Sequence, residues 1–183
     1  MTSAGFELFD TAIGRCAIAW GPGGIVGVKL PERSDGAMRA RMQRHHPTTP
    51  QQAAPSNVTA AVAEIRRLLS GEDRDLSWIA LDMNGVPDFD RRVYTEARSI
   101  RRGETLTYGE IAARLGDPGL ARAVGQALGR NPFAIVVPCH RVLAAGGKPG
   151  GFTAPGGLAT KRRLLEIEGA RPGQPELPWD RSR

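Results

Sequence analysis

The pattern of apolar residues changes at a short segment of turn-forming residues, Asn84-Gly85-Val86-Pro87. Before this segment, short β-prone runs are separated by glycine-rich turns, a pattern typical of an antiparallel meander. After it, apolar residues recur three or four positions apart, as on the buried face of a helix. The change predicts an α/β domain over residues 1–85 and a mostly α domain over residues 86–170, followed by a flexible tail over residues 171–183.

The first domain is expected to contain a small antiparallel sheet together with helices. Its three strands are predicted at residues 6–10, 16–20 and 25–29. Ser56 is expected to cap a helix that ends at Gly71, and residues 78–83 are expected to form another strand.

Boundary signals in the second half predict two short helices joined by a turn. Thr107 and Glu110 form a Thr-x-x-Glu capping box for the first helix, and the turn at Gly116-Asp117 leads into the second. Such a pair is a candidate helix-turn-helix, although many small helical hairpins bind nothing. Asp88 is expected to cap a further helix, and the last helix is expected to span residues 157–168.

The whole formal net charge of +6 lies in the second half, because the first 85 residues carry equal numbers of basic and acidic side chains. A basic surface attracts polyanions and gives salt-dependent binding, which indicates a nucleic acid partner. The general preference of this sequence for arginine over lysine does not explain the difference between the halves.

Cysteine content and hydropathy indicate a cytoplasmic protein. No apolar run approaches the ~20 residues needed to span a bilayer, and the first residues lack the features of a signal peptide. Cys16 and Cys139 lie in very different contexts, so we expect a reducing cytoplasm and no disulfide. The spacing of Cys16 and His45-His46 does not match a zinc site, so no metal is expected.

The apolar run over residues 133–137 leads directly to Pro138-Cys139-His140-Arg141. We predict that the run is a buried strand that presents the cysteine at a defined point, because proline restricts its own backbone and that of the preceding residue. A cysteine beside a histidine is a candidate activated nucleophile. Taken alone, the pair is more typical of a buried thiol next to a surface histidine.

The surrounding residues resemble the O6-alkylguanine-DNA alkyltransferases, also called methylated-DNA–protein-cysteine methyltransferases. The matching residues are Thr107-Tyr108, Ile111-Ala112, Arg122-Ala123-Val124-Gly125, Asn131-Pro132, Pro138-Cys139-His140-Arg141-Val142, Gly156-Gly157, Lys161, Leu164-Leu165 and Glu168-Gly169. The resemblance implies direct reversal of DNA damage without a cofactor. An O6-alkylated guanine is flipped out of duplex DNA, and a cysteine takes its alkyl group irreversibly, once per protein.

The same resemblance implies a ribonuclease-H-like arrangement for the first domain. O4-alkylthymine is a further candidate substrate. We expect a monomer that binds double-stranded DNA, and cooperative assembly on DNA stays open.

Five residues match the family's catalytic positions. Cys139 matches the acceptor nucleophile, His140 the general base, and Glu168 the carboxylate that orients the histidine. Adjacent side chains of an extended segment point to opposite faces, so we expect a water molecule to bridge Cys139 and His140. Tyr108 matches the phenol that donates a proton or hydrogen bond to the guanine ring, and Asn131 a hinge that hydrogen-bonds the turn before the cysteine.

Other matching residues are expected to bind DNA or to line the substrate pocket. Arg122 matches the finger that replaces the flipped nucleotide, on a helix that enters the minor groove. The further DNA-binding positions are Thr107, Ala123, Gly125 and Arg130. The pocket positions are Val142, through its backbone carbonyl, and Phe152, Thr153 and Gly156. Because the family usually carries a tyrosine where Phe152 stands, the size of the accepted alkyl group stays open.

Alternatives remain at this point. A helix-turn-helix protein that binds DNA or lesions without repairing them would not need Cys139. A Cys-His hydrolase would leave the helix-turn-helix and the charge asymmetry unexplained. Glu166 is the nearest competitor of Glu168 for the carboxylate position.

Overall fold

The computed structural model describes residues 3–170, so the predicted tail over residues 171–183 lies outside the described part. The first half contains strands β1 (Gly5–Thr11), β2 (Gly14–Gly21) and β3 (Gly24–Lys29), and helices α1 (Asp35–His45) and α2 (Ser56–Leu69). The second half contains α3 (Asp88–Arg98), β4 (Leu106–Thr107), α4 (Tyr108–Arg114), α5 (Ala121–Gly129), β5 (Val142–Leu143) and α6 (Gly157–Ile167). No helix in residues 3–170 is long and apolar enough to cross a bilayer.

The three-stranded antiparallel sheet has the order β1-β2-β3, which confirms the predicted meander. Side chains of β2 alternate between its two faces. Ala17 and Ala19 pack with Met38 and Met42 of α1. Residues such as Ile18 on the opposite face pack into the main core, which includes α2. The sheet is therefore covered by one helix on each face.

Two predicted strands and two predicted caps are wrong. Residues 78–83 form no strand; Leu81 alone forms a bridge with Ile25. Helix α2 begins at Ser56 itself, without a side-chain cap, and α3 likewise begins at Asp88. In both helices a proline precedes the first residue and occupies the cap position.

The apolar run over residues 133–137 is a tight buried turn and not a strand. Ile135 has a positive φ of 72°, and the N–H of Val137 donates to Phe133 O at 2.8 Å. The Asn131 side chain stabilises the turn, since it donates to Val137 O and accepts from the N–H of Phe133, both at 2.9 Å. An apolar run shows that a segment is buried, but it does not distinguish a strand from a turn whose polar groups are satisfied by a side chain.

This turn joins the second half of the chain to the sheet. The N–H of Val28 on β3 donates to Pro132 O at 2.8 Å, and the N–H of Ala134 donates to Val28 O at 3.3 Å. The main apolar core contains residues from both halves, among them Ile18 and Val93. The sheet therefore fixes the position of the segment that leads to Cys139.

Helices α4 and α5 follow the predicted boundaries closely. Both hydrogen bonds of the capping box between Thr107 and Glu110 are present. Asp117 caps a short 3-10 turn, Pro118–Leu120, which leads into α5. The parallel pairing of Leu106 with Val142 brings the start of α4 beside the segment that follows Cys139.

Candidate active site

Cys139 begins a 3-10 turn, Cys139–Arg141. This turn follows directly after the buried turn over residues 133–137. Its N–H donates to Val137 O at 2.9 Å, and the N–H of Arg141 donates to Pro138 O at 2.9 Å. The extended backbone expected here is wrong, because these bonds fold the segment tightly. Cys139 is half-buried, whereas His140 is only 1% exposed. Within residues 3–170, no hydrogen bond joins the two side chains directly, and the bridging water stays a prediction.

His140 and Glu168 form a buried pair, and Arg141 binds the same carboxylate. The distance between His140 Nε2 and Glu168 Oε1 is 3.0 Å. Arg141 donates to both oxygens of Glu168, at 2.8 and 2.9 Å, and to Ile100 O at 2.5 Å. The carboxylate at the end of α6 is therefore held by two partners, whereas Glu166 is exposed.

The protonation of this pair follows from its surroundings. Burial opposes the charge of Glu168, but hydrogen bonds and charges from His140 and Arg141 prevail and lower its pKa to about 2. Burial lowers the pKa of His140 despite the nearby carboxylate. At neutral pH the neutral imidazole therefore donates its Nε2–H to Glu168, which leaves Nδ1 with a lone pair that can accept a proton.

The surroundings of the Cys139 thiol act on its pKa in opposite directions. Burial raises its pKa, whereas the Asn131 side chain, the charge of Lys161 and nearby backbone N–H groups lower it. The burial effect is the larger one. The resting residue is therefore a thiol, and a base is needed to form the thiolate that reacts as a nucleophile.

Lys161 is a site residue to which the sequence analysis assigned no role. It is fully buried, and its Nζ donates to Val142 O at 2.6 Å. The same Nζ lies 5.9 Å from the ring centroids of both Tyr108 and Phe152. Burial lowers its pKa to about 8, while Cys139 acts to raise it, so a thiolate at Cys139 and a charged Lys161 stabilise each other.

Cys139 lies in the wall of a cavity of about 490 Å³, within the size range of small-ligand pockets. The other lining residues are Tyr108, Ala121, Arg122, Gly125, Gln126, Leu128, Gly129, Gly151, Phe152 and Thr153. The cavity therefore brings together the predicted nucleophile, the predicted phenol and the predicted finger. Burial and the nearby cysteine raise the pKa of Tyr108, so its hydroxyl is a protonated donor at neutral pH.

Other predicted site residues lie outside this cavity or have a partner already. Gly156 lies at the start of α6 and lines a separate cavity with Pro155 and Thr160. The carbonyl of Val142 accepts from Lys161, although an oxygen can accept a second hydrogen bond.

The remaining predicted DNA-binding residues lie on or beside the two short helices. Arg130 donates to both oxygens of the buried Asp90, at 2.9 and 3.0 Å. Thr107 is held in the α4 cap, and Ala123 is partly buried on α5. Across residues 3–170, no three His, Cys, Asp or Glu side chains are placed to hold a metal ion.

Known proteins resemble this chain in sequence and in fold. Residues 88–170 match the family model described as 6-O-methylguanine DNA methyltransferase, DNA binding domain. A methylated-DNA–protein-cysteine methyltransferase of Mycobacterium bovis is 46% identical over 117 residues, which cover 64% of this chain and 68% of the relative. The Mycobacterium tuberculosis O6-methylguanine methyltransferase has a TM-score of 0.71 at 36% identity, over 94% of this chain and 96% of that one. Mycobacterium tuberculosis OGT in complex with DNA has a TM-score of 0.70 at 37% identity, over 91% and 93% of the two chains.

Proposed function

This chain belongs to the methylated-DNA–protein-cysteine methyltransferases, and on that premise we propose how its own residues carry out the reaction. The protein repairs DNA by direct reversal: the alkyl group of an O6-alkylguanine moves irreversibly to a cysteine of the protein. The observation that supports our assignment most is the position of Cys139, half-buried in the wall of a cavity and next to the buried His140–Glu168 pair. We assign Cys139 as the acceptor.

The chemistry requires a proton to leave the thiol and negative charge to be neutralised on the guanine. We propose that the thiol proton of Cys139 passes to Nδ1 of His140 through a water molecule, and that Glu168 stabilises the imidazolium. The thiolate sulfur then forms a bond to the alkyl carbon as the bond from that carbon to O6 breaks. The electron pair of the broken bond moves into the guanine ring, where the Tyr108 hydroxyl donates a proton or hydrogen bond.

We propose that α4, the turn and α5 form a helix-turn-helix that binds the minor groove. Arg122 supports this arrangement, because it is exposed near the start of α5 and also lines the Cys139 cavity. A base inside the duplex stack cannot reach the sulfur, so flipping must come first, at a cost of about a few kcal/mol. We propose that Arg122 occupies the vacated position.

We also propose different roles for the two halves of the chain. We assign residues 86–170 to DNA binding and alkyl acceptance, in keeping with the family match over residues 88–170. We assign residues 1–85 to a ribonuclease-H-like scaffold, which the meander with one helix on each face supports. The two free cysteines support our proposal that the protein functions in the reducing cytoplasm.

Replacing Arg122 with alanine is expected to slow alkyl transfer from duplex DNA by about 10-fold or more, the effect of losing one charge-assisted contact in the flipped state. Transfer from free O6-benzylguanine should stay close to that of the unmodified protein, because no stack needs to be opened. Single-turnover rates on both substrates, read by mass spectrometry, measure the difference. Equal losses on the duplex and the free base would refute the finger assignment.

Replacing Tyr108 with phenylalanine is expected to slow transfer by about 10- to 100-fold, because the charge that develops on the guanine loses its donor. DNA affinity should change much less, since the aromatic ring remains. Rates at saturating protein and binding curves on the same O6-methylguanine duplex separate the two effects. An unchanged rate would remove the proposed role of the hydroxyl. Phe152→Tyr is the matched control. It adds a hydroxyl on the same cavity wall and keeps the hydroxyl of Tyr108.

A further inference from the structure

The loop that follows α3 lies against the end of α6, next to Glu168. Ile100 O accepts a hydrogen bond from Arg141, which also binds the carboxylate of Glu168. Gly103 lies beside the backbone of the same residue, because a Cβ at Gly103 would be 3.4 Å from Glu168 O. Its φ of 81° is in the left-handed region that favours glycine. The loop therefore contacts both the backbone of Glu168 and a side chain that binds its carboxylate.

Arg102, in the same loop, binds the C-terminal ends of two helices. Its Nη2 donates to Gly71 O, which follows the end of α2, at 2.9 Å, and to O of Ile167, the last residue of α6, at 2.8 Å. The last carbonyls of a helix have no partner within the helix and carry partial negative charge, so a guanidinium is a favourable partner for them. Arg102 therefore links α6 to α2 at the residue that precedes Glu168.

The conformation of Arg102 has an energetic cost. Its Nε is buried and has no hydrogen-bond partner within residues 3–170. A buried N–H without an acceptor is unfavourable, and an arginine that served only as a surface charge would avoid this by extending into solvent. The neighbouring Arg101 is exposed. The contacts of Arg102 with the two helix ends therefore outweigh the unpartnered Nε.

These contacts affect the position of Glu168, whereas other groups set its charge. His140 and Arg141 are the residues that lower the pKa of Glu168. The distance of 3.0 Å between His140 Nε2 and Glu168 Oε1 depends on where the end of α6 lies. Because hydrogen bonds weaken steeply when their geometry is lost, a small displacement of Ile167 would weaken the contact between the base and its carboxylate.

We propose that Arg102 is a positioning residue for alkyl transfer, which holds Ile167 O and thereby keeps Glu168 within hydrogen-bond distance of His140. The inference rests on the proposed passage of the Cys139 proton to His140. Arg102 does not line the cavity of Cys139, so its effect on the reaction passes through Glu168.

Replacing Arg102 with methionine removes both hydrogen bonds and keeps most of the aliphatic chain. Single-turnover transfer from an O6-methylguanine duplex at saturating protein should slow about 10-fold, because a small misplacement of a catalytic group has an effect of this order. Duplex affinity should stay unchanged. Arg102→Lys should restore most of the rate, because both bonds come from one nitrogen and an ammonium can donate to two carbonyls. An unchanged rate in Arg102→Met, or a loss of affinity equal to the loss of rate, would overturn the proposal.

Arg101→Met is the matched control, because it removes an exposed charge from the same loop and should transfer at the normal rate. Melting curves establish that each variant is folded at the assay temperature. If Arg102→Met is not, Arg102→Gln replaces it. Glutamine is too short to bind both carbonyls, so the same outcomes support or overturn the proposal.

Nitrogen NMR of His140 separates a positioning role from a merely structural one. In the unmodified protein Nε2–H donates to Glu168, so Nε2 and Nδ1 should have the well-separated shifts of a single tautomer. In Arg102→Met the two shifts should converge as the second tautomer becomes populated, whereas Arg102→Lys and Arg101→Met should keep them apart. Slow transfer with unchanged shifts would overturn the proposal, because Arg102 would then act without Glu168.

A double substitution makes the same distinction through the rate. In Glu168→Gln the carboxylate that Arg102 positions is absent, so the addition of Arg102→Met should cause little further slowing. Slowing by the full factor seen in the single variant would contradict the inference, because independent effects add in free energy. Glu168→Gln alone tests the proton pathway. Normal transfer by that variant would refute the pathway, whereas slow transfer by it together with normal transfer by Arg102→Met would refute only the role of Arg102.

Discussion

Replacing Cys139 with serine is expected to abolish alkyl transfer and to leave binding to an O6-methylguanine duplex close to that of the unmodified protein. Attack on a saturated carbon needs a soft nucleophile that ionises near neutral pH, and a hydroxyl meets neither condition. Serine is smaller but otherwise similar in shape, so the cavity and the DNA-binding helices should keep their geometry. Mass spectrometry should show one methyl group on the Cys139 peptide of the unmodified protein and none on the variant.

The second cysteine provides the matched control for this experiment. Cys16 is 1% exposed on β2, and burial raises the pKa of its thiol to about 12. Cys16→Ala should therefore transfer the methyl group at the normal rate. Methylation of Cys16 in the Cys139→Ser variant would move the acceptor elsewhere, and more than one transfer per molecule would contradict a single-turnover reaction.

The elements predicted correctly from sequence are those specified by local interactions. The strands of the meander are separated by glycine turns, and the start of α4 is specified by the capping box of Thr107 and Glu110. A hydrogen bond from Asn131 to the turn before Cys139 was expected from the family resemblance, but residues 133–137 were still predicted as a strand, because the apolar run does not show that a side chain satisfies their backbone. That contribution depends on how one amide is placed in three dimensions.

In the candidate site, too, contacts that depend on three-dimensional placement were not predicted from the residues alone. The contact between His140 and Glu168 was expected from the family resemblance, and it is present. Arg141 and Lys161 were quoted in the same motifs but received no role, because charged side chains are usually exposed. A signal for Lys161 was available. It shares one face of α6 with Leu164, Leu165 and Glu168 at helical spacing, and all four are buried.

The contact between β3 and the turn that precedes Cys139 was not accessible in this way. The period of β3 shows that this strand is buried, but not which residue lies at its edge against the turn of the second half. That contact joins segments about a hundred residues apart through the bonds of Val28 with Pro132 and Ala134.

Replacing Glu168 with glutamine is expected to destabilise the protein by about 3–5 kcal/mol and to slow alkyl transfer strongly. Removal of one partner from a buried ion pair leaves the other charge uncompensated, which accounts for the stability loss. The uncompensated group here is Arg141, which is 7% exposed and loses an anionic partner held by two hydrogen bonds. His140 also loses the negative charge that stabilises its protonated form, so Nδ1 becomes a weaker base.

The pH dependence of unfolding gives an independent measure of the same interaction. Because folding lowers the pKa of Glu168 from its ordinary 4.5 to about 2, its stabilising effect is fully present above pH 4.5 and is lost as the pH falls toward 2. The difference corresponds to about 3 kcal/mol, a large share of a typical free energy of unfolding. The lowered pKa of His140 acts in the same direction, because the unfolded chain binds that proton first as the pH falls.

Denaturant unfolding of the unmodified protein and of Glu168→Gln, at several pH values from neutral to acidic, tests this argument. The two free energies of unfolding should differ most at neutral pH and converge as the pH falls from 4.5 toward 2. Glu166→Gln is the matched control, because this exposed neighbour should affect neither stability nor transfer. A constant difference at all pH values would mean that the loss comes from packing and not from the ionised carboxylate. Normal transfer by a folded Glu168→Gln protein would remove this residue from the proposed proton pathway, because His140 would then act without it.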